Sequence, residues 1–291
     1  MKSWRELNSY KKMQVFLAEK SGFCFGVKRA VRLAIQASKM AKQVYTIGPL
    51  IHNPQYVEYL QKQGIFPIQS VNDVESGVVV LRSHGVSPDT YIQAKKKGLE
   101  VVDATCPNVK RVQALARELK GEGYQVVIVG ERRHPEVRSI ANDLQDDVLI
   151  IGEVDDLRGD GLSKRIGVIA QTTQDLGCFR DICHQLLGLV REMKVYNTIC
   201  KASYERQVST IKLAQKTDLL LIVGGRNSAN TSRLFRIASK INPNTYHIES
   251  KKDIDTSWLS GKERVGISSG ASTPSFIIED IVEYLRGIEP Y

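Results

Sequence analysis

The sequence predicts an α/β protein made of three similar units, each a small, mostly parallel sheet with its helices. Three observations predict it. Apolar strand-like runs alternate with helix-period segments, the pattern of βα units on parallel sheets. A cysteine stands where a strand hands over to a helix three times, at Cys24, Cys106 and Cys200. The intervals between these cysteines are close to the size of a small α/β domain, and no long linker or low-complexity stretch interrupts them.

Taken in order, residues 1–12 are polar and charged, without the apolar core of a signal peptide, and read as a tail on a cytoplasmic protein. The first unit, residues 13–98, opens with Val15-Phe16-Leu17-Ala18 and then Gly22-Phe23-Cys24-Phe25-Gly26-Val27. Its two further strands end in Gly48-Pro49-Leu50-Ile51-His52-Asn53 and Arg82-Ser83-His84-Gly85. The second unit, residues 99–190, opens with Val101-Val102 before Asp103-Ala104-Thr105-Cys106-Pro107. Its strands lead to His134-Pro135-Glu136 and to Gln171-Thr172-Thr173. The third unit, residues 191–291, opens with Val195-Tyr196 before Asn197-Thr198-Ile199-Cys200. Its strands lead to Gly224-Gly225-Arg226-Asn227-Ser228-Ala229-Asn230-Thr231 and to Ser268-Ser269-Gly270-Ala271-Ser272.

Ligands of open α/β sheets gather beyond the carboxyl ends of the strands, where all nine of these segments fall. Units facing one another about a pseudo-threefold axis would line one central cavity with them, the cysteines at its floor. A lone cysteine near a strand end is ordinarily small apolar filler; recurrence at three equivalent positions argues otherwise. Helix starts favour the thiolate, the form that binds iron or zinc. An odd number of thiolates leaves a coordination position open, which points to chemistry. Cys178 and Cys183 are read as packing residues, since their spacing sets them about 140° apart around one helix. Three of the five histidines, His52, His84 and His134, fall in strand-end loops, whereas His184 and His247 are read as structural.

Composition excludes several classes. Five cysteines without regular close spacing argue against a secreted disulfide scaffold. No apolar run approaches a membrane span. The formal charge is +9, but the basic residues are scattered along helix faces and no nucleic-acid motif occurs, so no nucleic-acid partner is expected. There is no P-loop, no dinucleotide-binding glycine motif and no H-E-x-x-H. The Gly266-Ile267-Ser268-Ser269-Gly270 match to a nucleophile elbow fails, because no histidine follows it.

The segments quoted above around Cys24, His52, His84, Cys106, His134 and Cys200, with Gln171-Thr172-Thr173 and Val223-Gly224-Gly225-Arg226-Asn227-Ser228, closely resemble the family of 4-hydroxy-3-methylbut-2-enyl diphosphate reductase, also called IspH or LytB. The resemblance runs from about Met13 to the C-terminus in the family's order. It implies three α/β units around one 4Fe-4S cluster, held by Cys24, Cys106 and Cys200 with the fourth iron open. It implies reductive dehydroxylation of an allylic alcohol diphosphate to isopentenyl and dimethylallyl diphosphates. His52, His84, Ser228, Asn230 and Ser272 would hold the diphosphate, with His134 close by. Glu136 would deliver a proton and Thr172 would orient the substrate hydroxyl. Two residues depart from the family: Ala229 stands where a second serine is common, and Ser203 where threonine is frequent. The electron source would be an acidic carrier of ferredoxin or flavodoxin type.

From the residues alone two other readings stand beside this one. One is a zinc hydrolase with Cys and His ligands; the other is a cluster-bearing redox sensor that binds nucleic acid. For Glu136, the local sequence by itself favours a surface ion pair with Arg133 or Arg138.

Overall fold

The structure is a computed structural model that describes residues 13–145, 147–157 and 161–288; the tail expected at 1–12 lies outside the described residues. In chain order the elements are β1 (Gln14–Leu17), α1 (Phe25–Met40), β2 (Val44–Ile47), α2 (Pro54–Lys62), β3 (Ile65–Ile68), β4 (Val78–Leu81), α3 (Pro88–Lys96) and β5 (Glu100–Asp103). There follow α4 (Pro107–Gly121), β6 (Gln125–Val129), α5 (Pro135–Asp143), β7 (Val148–Ile151), β8 (Arg165–Ala170), α6 (Leu176–Leu187) and β9 (Glu192–Tyr196). The last part holds α7 (Lys201–Ala214), β10 (Leu219–Val223), α8 (Ala229–Ser239), β11 (Thr245–Ile248), β12 (Arg264–Ser269) and α9 (Ser275–Gly287). No helix among the described residues is long and apolar enough to cross a membrane.

Among the described residues every strand pairing is parallel, and three four-stranded sheets result, ordered β3-β2-β4-β5, β7-β6-β8-β9 and β11-β10-β12-β1. The order is the same each time, as a threefold sequence repeat requires. The chain divides into two compact units. One, Cys24–Tyr204, holds the first two sheets; the segments on either side of it form the other, with the third sheet.

Membership of the sheets groups the strands differently from the boundaries expected near 98 and 190. Each strand that leads to a cysteine joins the sheet of the preceding repeat: β5 pairs with β4, β9 with β8, and β1 with β12. A short edge strand carries no sequence mark of the sheet it joins, so the periodicity groups it with the helix it leads into. The fourth strands β3 and β7 were also not expected. In β3, Pro67 disguises the strand, but at a sheet edge its missing N–H costs no ladder bond.

Central strands are buried on both faces and read as unbroken apolar runs. Leu219, Leu221 and Val223 of β10 pack against Ile277, Ile278 and Ile281 of α9. Leu220 and Ile222 pack on the opposite face with Leu213 and Ala214 of α7 and Leu234 and Ala238 of α8. Each of these leucine, isoleucine and valine side chains contributes about 1.5–3 kcal/mol by leaving water. This packing fixes where the strands end, and the polar loops project from those ends.

Candidate active site

Each cysteine stands immediately ahead of a helix. Cys24 caps α1, and the Val27 N–H donates to its Sγ at 3.5 Å. Cys106 caps α4, with Pro107 in the first turn, where a missing N–H costs nothing. Cys200 precedes α7; the Ser203 N–H donates to its Sγ at 3.4 Å, and the thiol donates to Ser203 Oγ at 3.2 Å. The hydroxyl of Ser203, one of the two departures, therefore engages the cysteine. Two of these segments are tied to the end of a neighbouring strand in the same way. The Cys106 N–H donates to Ser83 O at 3.0 Å, and the Cys200 N–H to Thr172 O at 2.9 Å.

The thiols share one neighbourhood. A Cβ on Gly26 would stand 2.8 Å from Cys106 Sγ and 3.9 Å from Cys24 Sγ, so the absent side chain lets the two cysteines approach. Burial pushes the Cys106 thiol up, the N–H groups of Asn108 and Val109 oppose this, and Cys24 and Cys200 add to it. Burial likewise raises Cys200, against the bonds from Ser203, with Cys24 and Glu136 adding to the rise. The ease of ionisation expected from the helix starts is thus outweighed at these two cysteines by desolvation. Neither Cys178 nor Cys183 belongs to this group: both pack against the apolar cluster around Phe179, Ile182 and Leu186.

Glu136 is 1 % exposed, so it is not the surface carboxylate that its local sequence favours. Its carboxylate is gripped twice by Thr172, whose N–H donates to Oε1 at 2.7 Å and whose hydroxyl donates to Oε2 at 2.6 Å. His134 caps α5 and accepts the Glu136 N–H on Nδ1 at 3.2 Å. The neutral ring then carries its proton on Nε2, as a donor.

The three loop histidines form a row. The ring centroids of His52 and His84 are 5.1 Å apart, and those of His84 and His134 5.3 Å. Burial holds His52 below the usual histidine range, helped by Arg82. Burial holds His84 well below it, followed by the effects of His134, His52 and Arg82. The Nδ1 atoms of His52 and His84 are buried and find no hydrogen-bond partner among the described residues.

Ser228, Asn230 and Ser272 belong to the other unit, in the loops after β10 and β12 and at the start of α8. Ser228 caps α8, its Oγ accepting the Thr231 N–H at 3.3 Å, and Ala229 is the first residue of that helix. Asn230 Nδ2, Thr231 Oγ1 and Ser272 Oγ are buried without a hydrogen-bond partner among the described residues. The two loops adjoin at Gly224, where a Cβ would stand 2.7 Å from Thr231 Oγ1 and 2.8 Å from Thr273 Oγ1. His247, read as structural, packs by its ring nitrogen 2.9 Å from Gly224 O. Gly26, Arg82 and Thr231 were given no role from sequence. Of these only Arg82 carried a signal: an arginine directly ahead of Ser83-His84-Gly85, at the end of a wholly buried strand.

The chain is similar to known proteins along most of its length. Residues 15–286 match the profile of the LytB protein family. The 4-hydroxy-3-methylbut-2-enyl diphosphate reductase of Aquifex aeolicus (strain VF5) is 45% identical over 281 residues, covering 95% of this chain and 97% of that one. The protein of the same name from Pelobacter propionicus is 42% identical over 270 residues, covering 93% and 96%. A solved structure of (E)-4-hydroxy-3-methyl-but-2-enyl diphosphate reductase, described as the terminal enzyme of the non-mevalonate pathway, is 45% identical with a TM-score of 0.69, covering 95% of this chain and 100% of that one. The E-1-hydroxy-2-methyl-but-2-enyl-4-diphosphate reductase of Plasmodium falciparum has a TM-score of 0.88 at 28% identity, covering 94% and 88%. Matched along almost its whole described length in sequence and in fold, this chain belongs to the LytB family.

Proposed function

We propose that this chain reduces (E)-4-hydroxy-3-methylbut-2-enyl diphosphate to isopentenyl and dimethylallyl diphosphates, as an iron–sulfur enzyme closing the non-mevalonate route to isoprenoids. The observation that carries the reading is the position of Thr172. It grips the Glu136 carboxylate through both its N–H and its hydroxyl, and its carbonyl accepts the Cys200 N–H. A proton donor and a thiol are thereby held by one residue.

Cys24, Cys106 and Cys200 would hold a 4Fe-4S cluster whose fourth iron has no protein ligand. The donor set fits such a group. The three thiols influence one another, yet among the described residues no three His, Cys, Asp or Glu side chains are disposed to hold a single ion. Buried thiols kept protonated by desolvation give up their protons to a bound metal centre. Such a cluster supplies single electrons and a Lewis-acidic iron for an alcohol oxygen.

The chain's own residues supply the rest. Glu136 gives a proton to the departing hydroxyl, so the allylic C–O bond breaks with loss of water instead of hydroxide. Thr172 fixes that carboxyl and orients the substrate hydroxyl. His52, His84, Ser228, Asn230 and Ser272, with His134 close by, bind the diphosphate, which would satisfy the orphaned atoms of His52, His84, Asn230 and Ser272. An acidic ferredoxin or flavodoxin delivers the electrons. Anaerobic purification with iron and sulfide quantitation, followed by turnover with an artificial one-electron donor, tests the reading. Both products are expected; a fully iron-loaded protein that leaves the substrate untouched would overturn it.

A further inference from the structure

Arg82 is a partly buried cation for which no partner is found among the described residues. Its Nε is buried and finds no acceptor, and among the described residues no carboxylate or hydrogen-bond partner is found for its guanidinium. Taking a charge out of water is costly unless it is paired and hydrogen-bonded. An arginine of this kind is open to a partner that is not part of the chain.

The fold builds a place for it. β2 and β4 are paired in register up to Thr46 and Val80, and Gly48 and Arg82 lie two residues beyond. Gly48 has a φ of +67°, and a Cβ there would stand 2.6 Å from Arg82 Nη1, so the glycine leaves the guanidinium room against the loop backbone. That loop runs on to His52, and Arg82 is followed at once by Ser83 and His84. Arg82 acts electrostatically on both histidines, whose Nδ1 atoms are also unpartnered. Three orphaned nitrogens are thus supplied by the ends of two adjacent strands.

We propose that Arg82 is the counter-cation of the substrate's diphosphate, a binding residue that adds charge where His52 and His84 offer neutral donors. The inference rests on the reading of this site given above. A guanidinium donates to phosphate oxygens in a planar fork, and bonds between two charged groups are the strong ones.

The test uses cluster-loaded protein kept anaerobic, with inorganic pyrophosphate as the calorimetric probe. R82M is expected to bind pyrophosphate at least about tenfold more weakly, about 1.4 kcal/mol, and R82K to recover part of the loss. In the absence of anion, R82M should melt no lower than wild type, because a partly buried, unpaired charge has been removed. Unchanged pyrophosphate affinity in R82M would overturn the proposal. So would a lower anion-free Tm or failure to fold, since Arg82 would then be a structural cation. Wild-type turnover of the allylic diphosphate, measured separately, distinguishes the two levels. No turnover together with weakened pyrophosphate binding in R82M leaves the anion site standing without that activity. Full turnover with R82M indistinguishable from wild type removes Arg82 from the site.

Discussion

Thr172 holds both oxygens of Glu136, one through its N–H at 2.7 Å and one through its hydroxyl at 2.6 Å. Glu136→Gln keeps one accepting oxygen but sets an amide NH₂ where the hydroxyl proton pointed, and it cannot give up a proton. The variant should keep its iron and bind the allylic diphosphate, yet turn over at least about a hundredfold more slowly, within the range for loss of general acid catalysis. Single-turnover kinetics separate binding from chemistry. A raised KM with unchanged kcat would make Glu136 a binding residue.

Replacing Cys24, Cys106 or Cys200 by serine should strip most of the iron, because hydroxyl oxygen is a poor substitute for thiolate at this metal. Cys178→Ala and Cys183→Ala should keep it. Burial pushes the Cys183 thiol up to about 11, so it is almost wholly protonated at pH 8 and should be among the slowest cysteines to alkylate in the folded protein. Iron retained without Cys106, or lost without Cys178, would reverse the assignment.

The cysteines stood out in the sequence because three recurrences at helix starts are hard to produce by packing alone, and Glu136 because it follows His134-Pro135 at a strand end. The parallel α/β class was legible from the buried runs of β4, β8, β10 and β12. What escaped depends on three-dimensional neighbours. β1 pairs with β12 from the far end of the chain, and no local pattern encodes that. Arg82 is conspicuous only once its lack of a partner is seen. Gly26 matters for an atom 80 positions further along, Cys106 Sγ, and nothing in a single glycine announces it.

His84 and His52 are held below their ordinary value of 6.5 by burial, with Arg82 contributing to both. The unfolded chain therefore binds more protons than the folded one below about pH 6.5. Stability is fully present above that value and is lost as pH falls toward the lowered folded pKa. Asp218, held low by the Arg264 hydrogen bond, loses its contribution only in the more acidic carboxylate window. Wild type should show a falling Tm between pH 7.5 and about 5.5, and a variant with both histidines replaced by asparagine should show a flatter profile. Parallel profiles would sink this account.

The formal charge of +9 favours encounter with an acidic electron carrier, and such steering is screened within about 10 Å at 0.1 M salt. Turnover driven by a subsaturating acidic ferredoxin or flavodoxin should slow as salt rises, while turnover with an uncharged artificial donor should not. Equal salt responses would remove charge steering from the mechanism.

Gly26 separates stability from cluster retention. It lies in the first turn of α1, where alanine is a better helix former by up to about 1 kcal/mol, so Gly26→Ala should not weaken the fold locally. Its new methyl, however, would stand 2.8 Å from Cys106 Sγ and 3.3 Å from Cys106 Cβ. A contact that short forces one of the two to move. A free cysteine can turn away, but a thiolate fixed to a metal centre cannot do so without giving up the bond. Gly26→Ala should therefore melt close to wild type when prepared without iron, yet load less iron anaerobically and release it faster to a chelator. Wild-type iron content and release rate in this variant would mean that Cys106 has freedom to shift while still bound, and that Gly26 is present for some other reason.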